Sequence, residues 1–88
     1  MLRHLREGPL TARELSGLIG IREREVPAHL EHLQRSLRRT SERLQVEPAE
    51  CLSCGYLFAD RKRLTRPGAC PRCRAQRIAA PVFSICQA

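Results

Sequence analysis

Cys51-Leu52-Ser53-Cys54-Gly55 and Cys70-Pro71-Arg72-Cys73 are the two stretches that decide how this chain folds. Fifteen residues lie between Cys54 and Cys70, the C-x2-C-x15-C-x2-C spacing of a four-thiolate zinc site. Each CxxC turns the chain so that two thiolates point the same way, Gly55 supplies the positive-φ freedom such a knuckle needs, and two knuckles complete a tetrahedron. Four thiolates leave no open coordination position. Cys51, Cys54, Cys70 and Cys73 therefore predict one structural zinc ion, not a catalytic one. A tetrahedral all-sulfur site also suits iron, and an oxidising compartment would favour disulfides instead. Cys86, the odd fifth cysteine, lies in the apolar run Pro81-Val82-Phe83-Ser84-Ile85-Cys86 and reads as a small hydrophobe in a strand.

Around the knuckles, Tyr56-Leu57-Phe58 and Val82-Phe83-Ser84-Ile85 read as strands, with residues 76–79 a weaker candidate between them. This predicts a three-stranded, rubredoxin-like zinc ribbon over residues 49–88. The loop Arg61-Lys62-Arg63-Leu64-Thr65-Arg66 places four positive charges in six residues. Such a run either tracks phosphates, whose neutralisation drives sequence-independent affinity, or is an ordinary solvated turn.

Toward the N-terminus, Arg43-Leu44-Gln45-Val46 alternates as a half-buried strand does and Pro48 breaks it, which fits the first strand of a wing. Before it, Val26, Leu30, Leu33 and Leu37 form one stripe of a helix reaching about Arg39. The opposite face carries Arg24, Ala28, Glu31, His32, Arg35 and Arg39. Pro27 requires the helix proper to begin within the preceding turn, so residues 22–25 should be irregular or 3₁₀. Thr11-Ala12-Arg13-Glu14 has the capping-box pattern and opens a helix over 11–19, with Leu15, Leu18 and Ile19 at helical spacing and Gly20 at its end. Leu2 and Leu5 mark a short first helix closed by Gly8-Pro9. No flexible linker separates Val46 from Cys51, so the two modules, residues 1–48 and 49–88, should pack on each other. The expected class is α+β, a three-helix winged helix-turn-helix packed on the ribbon.

The run Leu15-Ser16-Gly17-Leu18-Ile19-Gly20-Ile21 followed by Val26-Pro27-Ala28-His29-Leu30-Glu31-His32-Leu33 resembles the helix-turn-helix of winged-helix transcription regulators, with Pro27 a departure from it. With Glu47-Pro48-Ala49-Glu50-Cys51, Asp60-Arg61-Lys62-Arg63-Leu64, Pro67 and Cys70-Pro71-Arg72-Cys73, the chain is similar to small transcriptional regulators of archaea and some bacteria that fuse such a module to a zinc ribbon. The resemblance implies a regulatory role and no defined ligand. It would turn Arg24, Ala28, Glu31, His32 and Arg35 toward the major groove, and set Arg38, Arg39, Arg61, Lys62, Arg63 and Arg66 on phosphates. A solvated helix face is the plainer reading of the same arginines.

Charge divides the chain unequally. Of the net +7, residues 1–50 hold nine Arg against eight Glu, while residues 51–88 hold six Arg and one Lys against Asp60 alone. The dominance of Arg over Lys suits phosphate and base-edge recognition, and a genomic base-composition bias would produce it equally well. Only three aromatics, Tyr56, Phe58 and Phe83, are present, so stacking platforms for single strands are poorly provided. An 88-residue chain buries little core and gains from a structural metal. No long apolar run or leader-like segment occurs, and the expected setting is cytoplasmic, without a membrane. No catalytic constellation appears, so no enzyme activity is expected. His29, beside the apolar stripe, should be semi-buried, and no histidine spacing suggests a second metal site.

The expected partner is double-stranded DNA. RNA polymerase or another protein is the partner in the alternative reading, an adaptor of the transcription or translation machinery, and an iron electron carrier is the third. The sequence leaves the oligomeric state open.

Overall fold

In the computed structural model, which describes residues 1–59 and 64–87, two small sheets and three α-helices surround two apolar clusters. Helix α1 spans Leu2–Glu7, strand β1 Leu10–Thr11 and helix α2 Ala12–Ile19. The capping box at α2 is present in full: the Glu14 amide donates to Thr11 Oγ1 at 3.2 Å and the Thr11 amide donates to Glu14 Oε1 at 2.9 Å. Gly20 ends α2 in the left-handed region, φ 72°, its N–H reaching the Ser16 carbonyl at 3.0 Å. A 3₁₀ turn, Glu23–Glu25, then leads into α3, Val26–Leu37. Pro27 thus falls in the first turn, where its missing N–H costs no intrahelical bond.

Strand β2, Glu42–Glu47, alternates half-buried and exposed side chains along its whole length. Two short strands follow, β3 (Glu50–Cys51) and β4 (Ile78–Ala79), and then β5, Val82–Gln87. Here the sequence reading is corrected. Residues 82–85 do not join the cysteine half, because β5 lies between β1 and β2 in an antiparallel sheet of order β1-β5-β2. Phe83 faces Leu10 on one side and Val46 on the other, and Ile85 faces Leu44. The period-2 pattern of β5 states that one face is buried; it does not state against which partner, and here the helices of the N-terminal half supply the cover.

The expected three-stranded ribbon is accordingly reduced to β3 paired with β4, with one isolated bridge from Glu50 to Leu57. Residues 56–58 do not form a regular strand. Their backbone is held instead by single bonds, Cys51 N–H to the Tyr56 carbonyl at 2.8 Å and Phe58 N–H to the Ala49 carbonyl at 3.0 Å.

The larger cluster packs Leu5, Leu15, Val26, Leu30, Leu64 and Phe83, with Leu10, Ile21, Leu33, Leu44, Val46 and Ile85 around them. Leu64 comes from the cysteine half and Phe83 is wholly buried, so both halves of the chain build this core. Leu18, expected inward, is 53% exposed. In a two-turn helix only the Ala12 and Leu15 side reaches the core. His29, expected semi-buried, is exposed as well.

Candidate metal centre

Two turns of the same construction bring the four thiols together. In the first, Gly55 N–H donates to the Cys51 carbonyl at 2.9 Å and Cys51 N–H donates to the Tyr56 carbonyl at 2.8 Å. In the second, Arg74 N–H donates to the Cys70 carbonyl at 2.8 Å and Cys70 N–H donates to the Ala75 carbonyl at 2.9 Å. Gly55 and Arg74 occupy equivalent places, and both are left-handed, at φ 79° and 62°. Gly55 meets the expectation made for it. Arg74 is the position that sequence reasoning missed, although its place directly after the second CxxC was the available signal.

Sulfur atoms of Cys51, Cys54, Cys70 and Cys73 all lie within 4.8 Å of one another. Cys51 Sγ is 3.5 Å from Cys73 Sγ, and Cys54 Sγ is 3.7 Å from Cys70 Sγ. Sulfurs at about 2.3 Å from a tetrahedral ion stand about 3.8 Å apart, so the donor set is compatible with such an ion. Cys51 and Cys70 are buried and face inward with Ala49 and Ile78, while Cys54 and Cys73 lie at the surface. Tyr56 and Phe58 flank the cluster edge to face, with ring centroids 4.9 Å apart.

Backbone amides prepare the site for negative charge. Cys70 Sγ accepts from the amides of Arg72 and Cys73 at 3.3 and 3.5 Å. Burial opposes ionisation of Cys51, but the amides of Cys54 and Ser53 and the facing thiols outweigh it and bring its pKa down to about 6. Cys70 is lowered in the same way, burial being outweighed by the amides of Cys73 and Arg72. Their neighbours move oppositely. Cys73 receives an amide from Ala75 that favours the thiolate, yet the Cys51 sulfur, burial and the two other sulfurs push it up to about 12. Cys54, despite the Tyr56 amide, is raised by burial and by the Cys51 and Cys70 sulfurs. Without a cation ionisation is eased at Cys51 and Cys70 and opposed at Cys54 and Cys73; a divalent ion removes that conflict.

The other sequence-derived residues gather elsewhere. Arg24, Ala28, Glu31, His32, Arg35, Arg38 and Arg39 are all exposed, while Val26, Leu30 and Leu37 of α3 are buried. Arg66 is exposed, and Arg61, Lys62 and Arg63 lie outside the described residues. Arg72, Arg74 and Arg77, absent from the candidate set, are exposed on the second knuckle and its continuation toward β4. The excess charge of residues 51–88 was the sign that pointed to them. Cys86 lies in β5, half-buried, its thiol directed at the Arg43 carbonyl at 3.6 Å, away from the cluster. Among the described residues no helix is long and apolar enough to cross a membrane.

Helices over a three-stranded sheet, with a four-thiol centre inserted in chain order between two of its strands, define a small α+β protein able to hold a metal ion through cysteine alone. Residues 1–45 match the family model "PF0610-like, N-terminal", and the chain belongs to this PF0610-like family. The solution NMR structure of protein PF0610 from Pyrococcus furiosus is similar over 99% of this chain and 85% of that one, at 24% identity and a TM-score of 0.80, which shows a shared fold. No curated protein matches the chain.

Proposed function

We propose that this protein is a DNA-binding transcriptional regulator, with a winged helix-turn-helix built from residues 1–47 and β5, and a structural zinc ribbon over residues 48–81. The observation that carries the reading is the division of α3. One side fills the core through Val26, Leu30 and Leu37, and the other presents Ala28, Glu31, His32 and Arg35 to solvent, with Arg24 before it and Arg38 and Arg39 after it. A helix that follows a short helix and a glycine turn, and precedes an antiparallel strand pair, has the layout of a recognition helix. Its polar face would enter the major groove. The arginines of the cysteine half would lie along phosphates, supplying affinity that the nearly balanced N-terminal half lacks. The thiols are fully committed to the ion, so zinc in this reading has a structural role and the protein no catalytic one.

Fluorescence anisotropy of the metal-loaded chain with a random-sequence duplex at 50 and 200 mM salt tests the proposal. Binding that weakens steeply with salt is expected, with a shallower salt slope after Arg66, Arg72 and Arg77 are replaced by Ala. Arg35→Ala should alter sequence preference instead. No duplex affinity at either salt would remove the reading.

A protein adaptor is the second reading, favoured by the near-neutral N-terminal half and by Leu18, Leu52 and Leu57, all more than half exposed. Colour and metal analysis separate both from an iron electron carrier.

A further inference from the structure

A cleft of about 480 Å³ opens where the two halves of the chain meet, at the start of α3 and away from the thiols. Its volume lies within the roughly 300–1,000 Å³ of small-molecule sites, which favour such junctions. Pro27, Leu64, Ala80 and Pro81 give it an apolar wall, of which Leu64 and Pro81 are buried. Arg22, Arg24 and Arg66 line it too, with Glu23 the one acid among the described residues that do so. Among the described residues the one ion pair is Arg6 with Glu42, far from this rim, so the three guanidinium groups keep their donors for a ligand.

Three arginines against one carboxylate leave a net positive mouth over an apolar floor. A neutral hydrophobe would leave the guanidinium groups unused, and a bare inorganic anion would leave the floor uncovered. We propose that this cleft binds a small organic anion, held by its carboxylate or phosphate at Arg22, Arg24 and Arg66 with its apolar body against Pro27, Leu64 and Pro81. Arg is suited to the task because its planar fork grips either group through two parallel hydrogen bonds. The two sides of the cleft come from different halves of the chain, so an occupant also bridges them. Arg24 and Arg66 also belong to the proposed DNA-contacting set, and the readout here needs only the free chain, so failure of one reading is distinguishable from failure of the other.

The test uses the full, metal-loaded, ¹⁵N-labelled chain titrated with phenyl phosphate, benzoate, benzyl alcohol and inorganic phosphate. Saturable amide shifts at residues 22–24, 64–66 and 80 are expected with phenyl phosphate or benzoate. Benzyl alcohol and inorganic phosphate, each lacking one half of the ligand, should bind at least about tenfold more weakly than phenyl phosphate. Arg24→Gln and Arg66→Gln, at exposed positions, should each weaken binding about tenfold while the spectrum remains folded. Shifts spread evenly over Arg72, Arg74 and Arg77 would overturn the proposal, as would benzyl alcohol or inorganic phosphate binding as tightly as phenyl phosphate.

Discussion

Arg74 occupies the place that Gly55 occupies in the other knuckle, with φ 62° against 79°. An L-residue in this region costs about 1–2 kcal/mol, part of which glycine returns as extra freedom of the unfolded chain. Arg74→Gly should therefore raise the stability of the metal-loaded chain by up to about 1 kcal/mol, read as a higher denaturant midpoint at unchanged slope. The thiols support a prediction of opposite delicacy. At pH 7 Cys51, brought down to about 6, is charged, whereas Cys73, pushed up to about 12, and the raised Cys54 keep their protons. Metal entry must expel those protons, so affinity rises with pH and falls in acid, by up to about a hundredfold per unit for two protons. Chelator competition at pH 6, 7 and 8 measures the slope; a flat profile would show that the outer pair is already ionised.

At the level of elements, β5 joins what the chain order separates. Phe83 is 0% exposed and faces both Leu10 and Val46. Phe83→Ala should cost about 3–5 kcal/mol, a large share of the stability of so small a chain, and should collapse amide protection in β1 and β2 together. Protection lost in the cysteine half alone would contradict the observed pairing. Strand β2 is also tied to its neighbours by side chains. The Arg43 guanidinium donates to the Leu37, Thr40 and Glu42 carbonyls at 2.9, 2.5 and 2.7 Å, closing the end of α3, and Glu42 accepts two bonds from Arg6 of α1 at 2.5 and 2.7 Å. Local signals in the sequence were sufficient where the chemistry is local: the capping box at Thr11, the glycine stop at Gly20, the proline in the first turn of α3 and the four thiols. They were insufficient for β5, because an alternating pattern carries no address, and for β1, because two residues have no period. They also failed at residues 56–58, where apolar composition resembled a strand but single backbone bonds took the place of a ladder.

For the whole molecule, the metal centre and the helical core are linked by Leu64, which lies between the knuckles in sequence and packs in the helical core. Cys51 and Cys70 are themselves core residues of the smaller cluster, and Leu64 is buried with Leu5, Leu30 and Phe83. Removing the ion with a strong chelator should therefore do more than loosen one end. A melting temperature lower by at least about 15 °C is expected, given about 4–8 °C per kcal/mol in a chain of this size, with α3 losing amide protection alongside β3 and β4. An unchanged melt would mean that the ion is dispensable to the fold.

The insertion of the cysteine half between β2 and β5 also orders events during synthesis. The ribosome releases α1 to β2 first, yet the strand between β1 and β2 is encoded beyond both knuckles. Until it emerges, Leu5, Leu15, Val26 and Leu30 have no Phe83 to close on, and the nascent helices remain a partly formed, apolar surface of the kind that chaperones engage. The cysteine half, whose contacts lie mostly within residues 49–79, suffers no such delay and can take up its ion first. The last strand to be made, not the ion, thus sets when the helices can close on Phe83.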